Sequence, residues 1–123
     1  MSKILIVDDS KDLQEALQLF LTKKGYQVLC TESGKNLLPI IKELLPDMIF
    51  LDVFLQGEDG REICRELRNN SETKYLCIIL ISGSAKDLKL YKEFGADGYL
   101  EKPFGLPELL NKIETTLGTC KDK

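Results

Sequence analysis

The stretch ILIVDDSKDL, Ile4–Leu13, decides how the rest of this 123-residue chain is read. An apolar run, Ile4-Leu5-Ile6-Val7, stops at two adjacent carboxylates, Asp8 and Asp9, and a helix-like segment starts at once. Leu13, Ala16, Leu17, Phe20 and Leu21 then recur at the spacing of one helical face. A buried strand that ends on two mutually repelling charges needs a physical reason.

The same strand-then-helix order recurs along the chain. Gly25 closes the first helix as a C′ glycine, and Gln27–Thr31 reads as a second strand. Leu37, Leu38, Ile41, Leu44 and Leu45 mark a second helix. Pro39 falls harmlessly in its first turn if Asn36 is the N-cap, and kinks it if the helix begins earlier. Met48–Leu51 is a third strand, followed by a polar loop and a third helical face at Ile63, Cys64 and Leu67. Cys77–Ile81 is a fourth strand, and Leu88, Tyr91 and Phe94 suggest a short fourth helix. Gly98–Leu100 forms a brief fifth strand before a last helix at Leu106, Leu109, Leu110, Ile113 and Leu117, with Gly118 at its end. Runs such as MIFL and CIILI are apolar throughout, as strands covered on both faces are. The expectation is one α/β domain over residues 1–123, a doubly wound five-stranded parallel sheet with five helices.

Composition narrows the function classes. Apolar residues make up 43% and charged residues 30% of the chain, a globular balance. The net charge of −3 provides no basic footprint, so direct nucleic-acid binding is not expected. No apolar run approaches the roughly 20 residues that cross a bilayer, and no signal-peptide pattern opens the chain, so a soluble cytoplasmic protein without membrane contact is expected. The count of histidines is 0, which rules out Ser-His-Asp and Cys-His catalysis within these residues. Four dispersed cysteines without a CxxC pair argue against zinc. Cys30, Cys64 and Cys77 read as core thiols, and Cys120 as an exposed residue of a polar tail, TCKDK.

In an open parallel sheet, ligands bind beyond the carboxyl ends of the strands. Those ends carry Asp8-Asp9, Asp52, Ser82-Gly83-Ser84 and Glu101-Lys102-Pro103. Ionised carboxylates about 5 Å apart at an effective dielectric near 20 repel by roughly 3 kcal/mol per pair. Three such groups together imply a retained proton or a cation among them. Hard oxygen donors of this kind suit Mg²⁺ with several waters. Taken singly, each residue has a plainer reading: Asp9 or Ser10 caps a helix, Asp52 is a turn residue, Ser82 a loop hydroxyl and Lys102 a solvated charge.

ILIVDDS, MIFLDVFLQGEDG, IILISGS and GADGYLEKPF, in this order and spacing, resemble the receiver domain of two-component response regulators. The resemblance covers essentially the whole chain. It implies a flavodoxin-like sheet of order 2-1-3-4-5, with Asp52 as phosphoacceptor and Asp8 and Asp9 as the acidic pair that holds Mg²⁺ with Asp52 and the Phe54 carbonyl. It further implies Ser82 as switch hydroxyl, Lys102 as the site lysine, Tyr99 as aromatic switch and a cis Lys102-Pro103 bond. A sensor histidine kinase or phosphotransfer protein would donate the phosphoryl group. The helix-four, strand-five, helix-five face would pass the signal to an output partner that the sequence does not identify, and the resemblance leaves room for a homodimer through that face. No output module is read within these residues, which fits a single-domain regulator or a receiver cut from a longer protein.

Three departures stand out. Gln56 replaces a common proline and should loosen the loop after Asp52. Gly83 replaces a frequent alanine and should do the same after Ser82. Phe54 is bulky, and is expected to shield a phosphoryl group from water. Among alternatives, a haloacid-dehalogenase phosphatase needs a second Asp where Phe54 stands. An FMN-binding flavodoxin needs a hydroxyl- and glycine-rich loop where DDSKDL would repel phosphate. A receiver-like interaction module independent of phosphorylation is the remaining rival.

Overall fold

A computed structural model describes residues 2–120. The five sheet strands are β1 (Lys3–Val7), β2 (Gln27–Thr31), β3 (Met48–Asp52), β4 (Cys77–Ser82) and β5 (Gly98–Glu101). The helices are α1 (Lys11–Lys23), α2 (Leu37–Leu44), α3 (Gly60–Asn69), α4 (Ala85–Leu88) and α5 (Leu106–Cys120). All strand pairs in the sheet are parallel and the order is β2-β1-β3-β4-β5, as expected.

Side chains alternate across a strand, so an apolar run supplies both faces of the sheet. Leu5, Val7, Ile49, Leu51, Ile78 and Leu80 face one core with Leu37 and Ile41 of α2, Cys64 and Leu67 of α3 and Leu88 of α4. Ile4, Ile6, Met48, Phe50, Ile79 and Ile81 face the other, with Leu17 and Leu21 of α1 and Leu109 and Ile113 of α5. This two-sided burial is why MIFL and CIILI lack polar alternation. Strand β2 lies at the sheet edge and is correspondingly less buried.

The local signals act where the sequence puts them. Ser10 is the N-cap of α1, its hydroxyl accepting the Leu13 N–H at 3.3 Å. Gly25 takes φ +96 just after that helix, a conformation that glycine adopts without strain. Asn36 precedes α2 in the left-handed region, so Pro39 falls in the first turn of α2. Lys102-Pro103 is cis.

Several expectations need correction. The polar loop after β3 contains a two-stranded antiparallel ribbon, Phe54–Leu55 against Glu58–Asp59, turned by Gly57 at φ +76. The fourth helix is regular only over Ala85–Leu88; Tyr91 and Phe94 lie in the turns that follow. Gly118 does not end α5, which runs on to Cys120; no atom crowds Gly118, and helical contacts on both sides carry the chain through it. Cys120 is not a free thiol in a polar tail, nor is Cys77 a free core thiol. The length of α5 returns Cys120 to the start of β4, where the two form a disulfide with their Cα atoms 5.9 Å apart. Cys64 is a buried thiol as expected, and burial pushes it up to about 12. Cys30 is half-buried at the edge of its core, with burial first and the Asp8 charge second raising its thiol. The Lys121-Asp122-Lys123 end of the tail lies outside the described residues. No helix among the described residues is long and apolar enough to cross a membrane.

The Cys77–Cys120 bridge spans 43 residues of sequence, enough for its loss to release substantial chain entropy in the unfolded state. Reduction should lower Tm by about 5–15 °C. Differential scanning calorimetry with and without dithiothreitol measures this, and Cys120→Ser should melt at the lower temperature in both buffers.

Candidate functional site

Strand order reverses between β1 and β3, since β2 lies on one side of β1 and the later strands on the other. The crevice at that switch point, beyond the carboxyl ends, is where Asp8, Asp9 and Asp52 emerge. The backbone ladder continues past the last strand residues and fixes their directions. Asp8 N–H donates to Thr31 O at 3.0 Å, Val53 N–H to Ile81 O at 2.8 Å and Lys102 N–H to Ser82 O at 2.8 Å.

One pattern repeats at three strand ends. Asp8 Oδ1 accepts the Ser10 N–H at 2.8 Å, Asp52 Oδ1 accepts the Phe54 N–H at 3.0 Å, and Ser82 Oγ accepts the Ser84 N–H at 3.0 Å. Each side chain is therefore locked by an amide two residues on. The second oxygens of the two aspartates converge: Lys102 Nζ donates to Asp8 Oδ2 and to Asp52 Oδ2, both at 3.0 Å. Asp8 is 0% and Asp52 4% exposed. Asp9 is exposed, yet it offers a carboxylate oxygen within 4.8 Å of oxygens from Asp8 and Asp52. Three hard oxygen donors so grouped fit a divalent ion such as Mg²⁺ better than a soft metal.

Burial raises the Asp52 carboxyl above its ordinary value near 3.8. The Asp8 charge adds to this, while the Lys102 hydrogen bond and charge and the Phe54 N–H act against it. For Lys102, burial disfavours the ammonium, but the hydrogen bonds and charges of Asp8 and Asp52 outweigh it and leave the group raised. The two partners thus shift upward together.

Ser82 lies at the end of β4, beside the Asp52–Ile81 register pair. Its hydroxyl is 3.4 Å from Asp87 Oδ2. Tyr99 projects from β5 and is 41% exposed, its ring 4.9 Å from that of Tyr91 and 5.3 Å from Lys112 Nζ. A cleft of about 280 Å³ lined by Ala85, Leu88, Tyr91, Tyr99 and Glu101 adjoins it. The Phe54 side chain is 70% exposed at the start of the ribbon. Asp8, Asp9, Asp52 and Lys102 are therefore in one cluster, with Ser82 on the adjoining strand end and Tyr99 on a flanking surface.

Other residues shape the site without having been singled out from sequence. Gly60 opens α3, and a Cβ there would lie 2.0 Å from Asp52 O. Its N–H donates to Val53 O at 2.8 Å, so glycine lets α3 start directly behind the acceptor strand. Glu58 Oε1 accepts from Ser33 Oγ at 2.9 Å and from Gly34 N at 3.0 Å, tying the ribbon to the loop after β2. Gln14 Nε2 donates to the carbonyl oxygens of Asp8 and Thr31. Gly60 alone carried a signal, a glycine at a helix start where no turn demands one.

Comparison with known proteins bears on the family and the fold. The family model for the response regulator receiver domain matches residues 4–114. A Chloroflexus aurantiacus protein assigned to the response regulators is 36% identical, with a TM-score of 0.88 over 95% of this chain and 98% of its own. TrrA from Thermotoga maritima, a response regulator solved in complex with Mg²⁺-BeF, is 30% identical, with a TM-score of 0.82 over 94% and 99%. The BeF3-activated receiver domain of Klebsiella pneumoniae RstA is 28% identical, with a TM-score of 0.84 over 94% and 97%.

Two outcomes test the site. Asp52→Asn removes a buried charge whose native carboxyl is raised. Such a group contributes stability below its ordinary value and loses it as pH rises through the raised native value. The variant should thus melt higher than wild type at pH 7, with the gain shrinking toward pH 4. Gly60→Ala should cost about 1–3 kcal/mol in urea unfolding, because the new methyl must displace backbone rather than a flexible side chain.

Proposed function

The chain belongs to the response regulator receiver family, and on that premise we propose that Asp52 takes a phosphoryl group from a sensor histidine kinase or phosphotransfer protein. The observation that carries this reading is the Lys102 ammonium 3.0 Å from both Asp8 and Asp52, with Asp9 alongside. A receiver is a signalling domain and not a classical enzyme, so the reaction is the protein's own modification.

An ionised Asp52 oxygen attacks the phosphorus of a phosphohistidine, the O–P bond forms, and the N–P bond breaks with imidazole leaving. The transferring group spreads charge over three equatorial oxygens, and the site's task is positioning and charge compensation. Lys102 pairs with one oxygen and the Ser82 hydroxyl donates to another. Asp8, Asp9, Asp52 and the Phe54 carbonyl would hold Mg²⁺, which when bound neutralises the carboxylates and a further phosphoryl oxygen. The Mg²⁺-BeF complex of the similar TrrA supports Mg²⁺ as the ion. Among the described residues at the strand ends no strong base stands ready to activate water, which favours a persistent acyl phosphate.

Output follows as a population shift. Ser82 moves toward the phosphoryl oxygen, and Tyr99 rotates into the cleft lined by Ala85, Leu88 and Tyr91, changing the α4–β5–α5 face that meets a partner, an output domain or a second copy of the chain. The reading treats residues 1–123 as one receiver domain in the cytosol, where thiols are kept reduced and the Cys77–Cys120 bond would close only under oxidation, without contact to membrane or nucleic acid.

Incubation with acetyl phosphate and Mg²⁺ should add one phosphoryl group by intact mass, with no gain for Asp52→Asn or after chelation by EDTA. An unmodified wild type would instead favour a receiver-like interaction module. Phe54→Ala should shorten the acyl-phosphate lifetime, followed by mass against time; an unchanged decay removes the shielding role of Phe54.

A further inference from the structure

The hydroxyl of Ser82 has a neighbour that phosphoryl transfer does not use. Its oxygen already accepts the Ser84 N–H, so its proton is left to donate, and it lies 3.4 Å from Asp87 Oδ2 in α4. Asp87 Oδ1 is in turn 3.9 Å from an Arg61 guanidinium nitrogen. Arg61 is anchored on the other side by Asp59, with Nε to Oδ1 at 3.1 Å and Nη2 to Oδ2 at 2.9 Å. Its guanidinium also lies 5.4 Å from the centre of the Phe94 ring. Asp59 belongs to the ribbon that follows Asp52. A chain of polar contacts, Asp59–Arg61–Asp87–Ser82, thus runs from the loop after the acceptor to the hydroxyl.

We propose that Asp87 is a positioning residue that competes with a phosphoryl oxygen on Asp52 for the single proton of Ser82. The inference rests on the reading in which Asp52 is phosphorylated. Both competitors are anionic acceptors, and one hydroxyl proton serves one of them well. The 3.4 Å separation exceeds the usual 2.5–3.0 Å of an O–H···O bond, so the tether is weak enough to exchange. Arg61 shares the Asp87 carboxylate and weakens it further as an acceptor. When Ser82 leaves, α4 loses its side-chain link to the end of β4. That helix has only four residues, and its N-cap Ser84 makes no side-chain capping bond. Ala85 and Leu88 of the same helix line the cleft beside Tyr99. Release of Ser82 therefore frees a wall of the space that Tyr99 adjoins.

Beryllofluoride with Mg²⁺, titrated into the full chain and followed by amide NMR shifts, tests this in wild type, Asp87→Ala, Ser82→Ala and the double variant. Asp87→Ala should tighten apparent Kd about three- to tenfold, the scale of one modest hydrogen bond. Asp87→Asn, which keeps an acceptor oxygen, should tighten it less. In the Ser82→Ala background, Asp87→Ala should leave Kd unchanged. Without beryllofluoride, Asp87→Ala should move the Ser82 and Tyr99 resonances toward their ligand-bound positions. An unchanged or weaker Kd, or an equal change without the Ser82 hydroxyl, overturns the proposal while leaving the phosphoacceptor reading intact. A wild type that does not bind beryllofluoride at all overturns that reading and this one together.

Discussion

One ammonium group, Lys102 Nζ, holds together two buried carboxylates that come from residues 94 and 50 positions away in the chain. At 3.0 Å and an effective dielectric near 20, each contact represents roughly 5 kcal/mol of gross attraction, set against the removal of three charges from water. For Asp52 burial outweighs the pull of the lysine, and the apolar sheet beneath holds the strand ends in place. Ile4 to Val7, Met48 to Leu51 and Cys77 to Ile81 are almost completely buried, and they align the strand ends on which the charges stand. Core and site are therefore one construction: the packing sets where the charges meet, and the lysine makes their meeting tolerable.

Around that centre the loops are linked in pairs. Glu58 joins the ribbon after β3 to Ser33 and Gly34 after β2, and Gln14 of α1 reaches the carbonyls that end β1 and β2. On the far flank Arg68 donates to the carbonyls of Lys74, Leu76 and Gly95 and to the Asp97 carboxylate, bracing the loops that enter β4 and β5.

Much of this was legible in the sequence because two periodicities dominate it. Strands buried on both faces advertise themselves as unbroken apolar runs, and α1 and α5 as stripes at helical spacing. Asp8 and Asp52 were legible for the same reason, since each directly follows such a run, whereas Asp9 and Lys102 sit one residue further on and were picked out with them by the motifs DDS and EKP. The ribbon Phe54–Leu55/Glu58–Asp59 was not, because two residues per strand carry no period. Helix α4 was overextended because Tyr91 and Phe94 keep helical spacing while packing from turns. The partnership of Cys77 and Cys120 was invisible because a disulfide is a statement about distance in space, and neither neighbourhood suggests the other. Asp87 and Arg61 carry no signal in the sequence, because their link to Ser82 is likewise a matter of distance in space.

The Cys77–Cys120 bond has a mechanical meaning for the α4–β5–α5 face proposed above to carry the signal. Between these cysteines lie Ser82, α4, Tyr99, Lys102 and α5, so every element of that face belongs to one closed covalent loop. Such a loop allows rings to rotate and a short helix to tilt, while it ties the C-terminal end of α5 to the start of β4. On the proposed reading, a closed bond would leave relief and charge, and not undocking of the end of α5, as the means by which that face meets a partner.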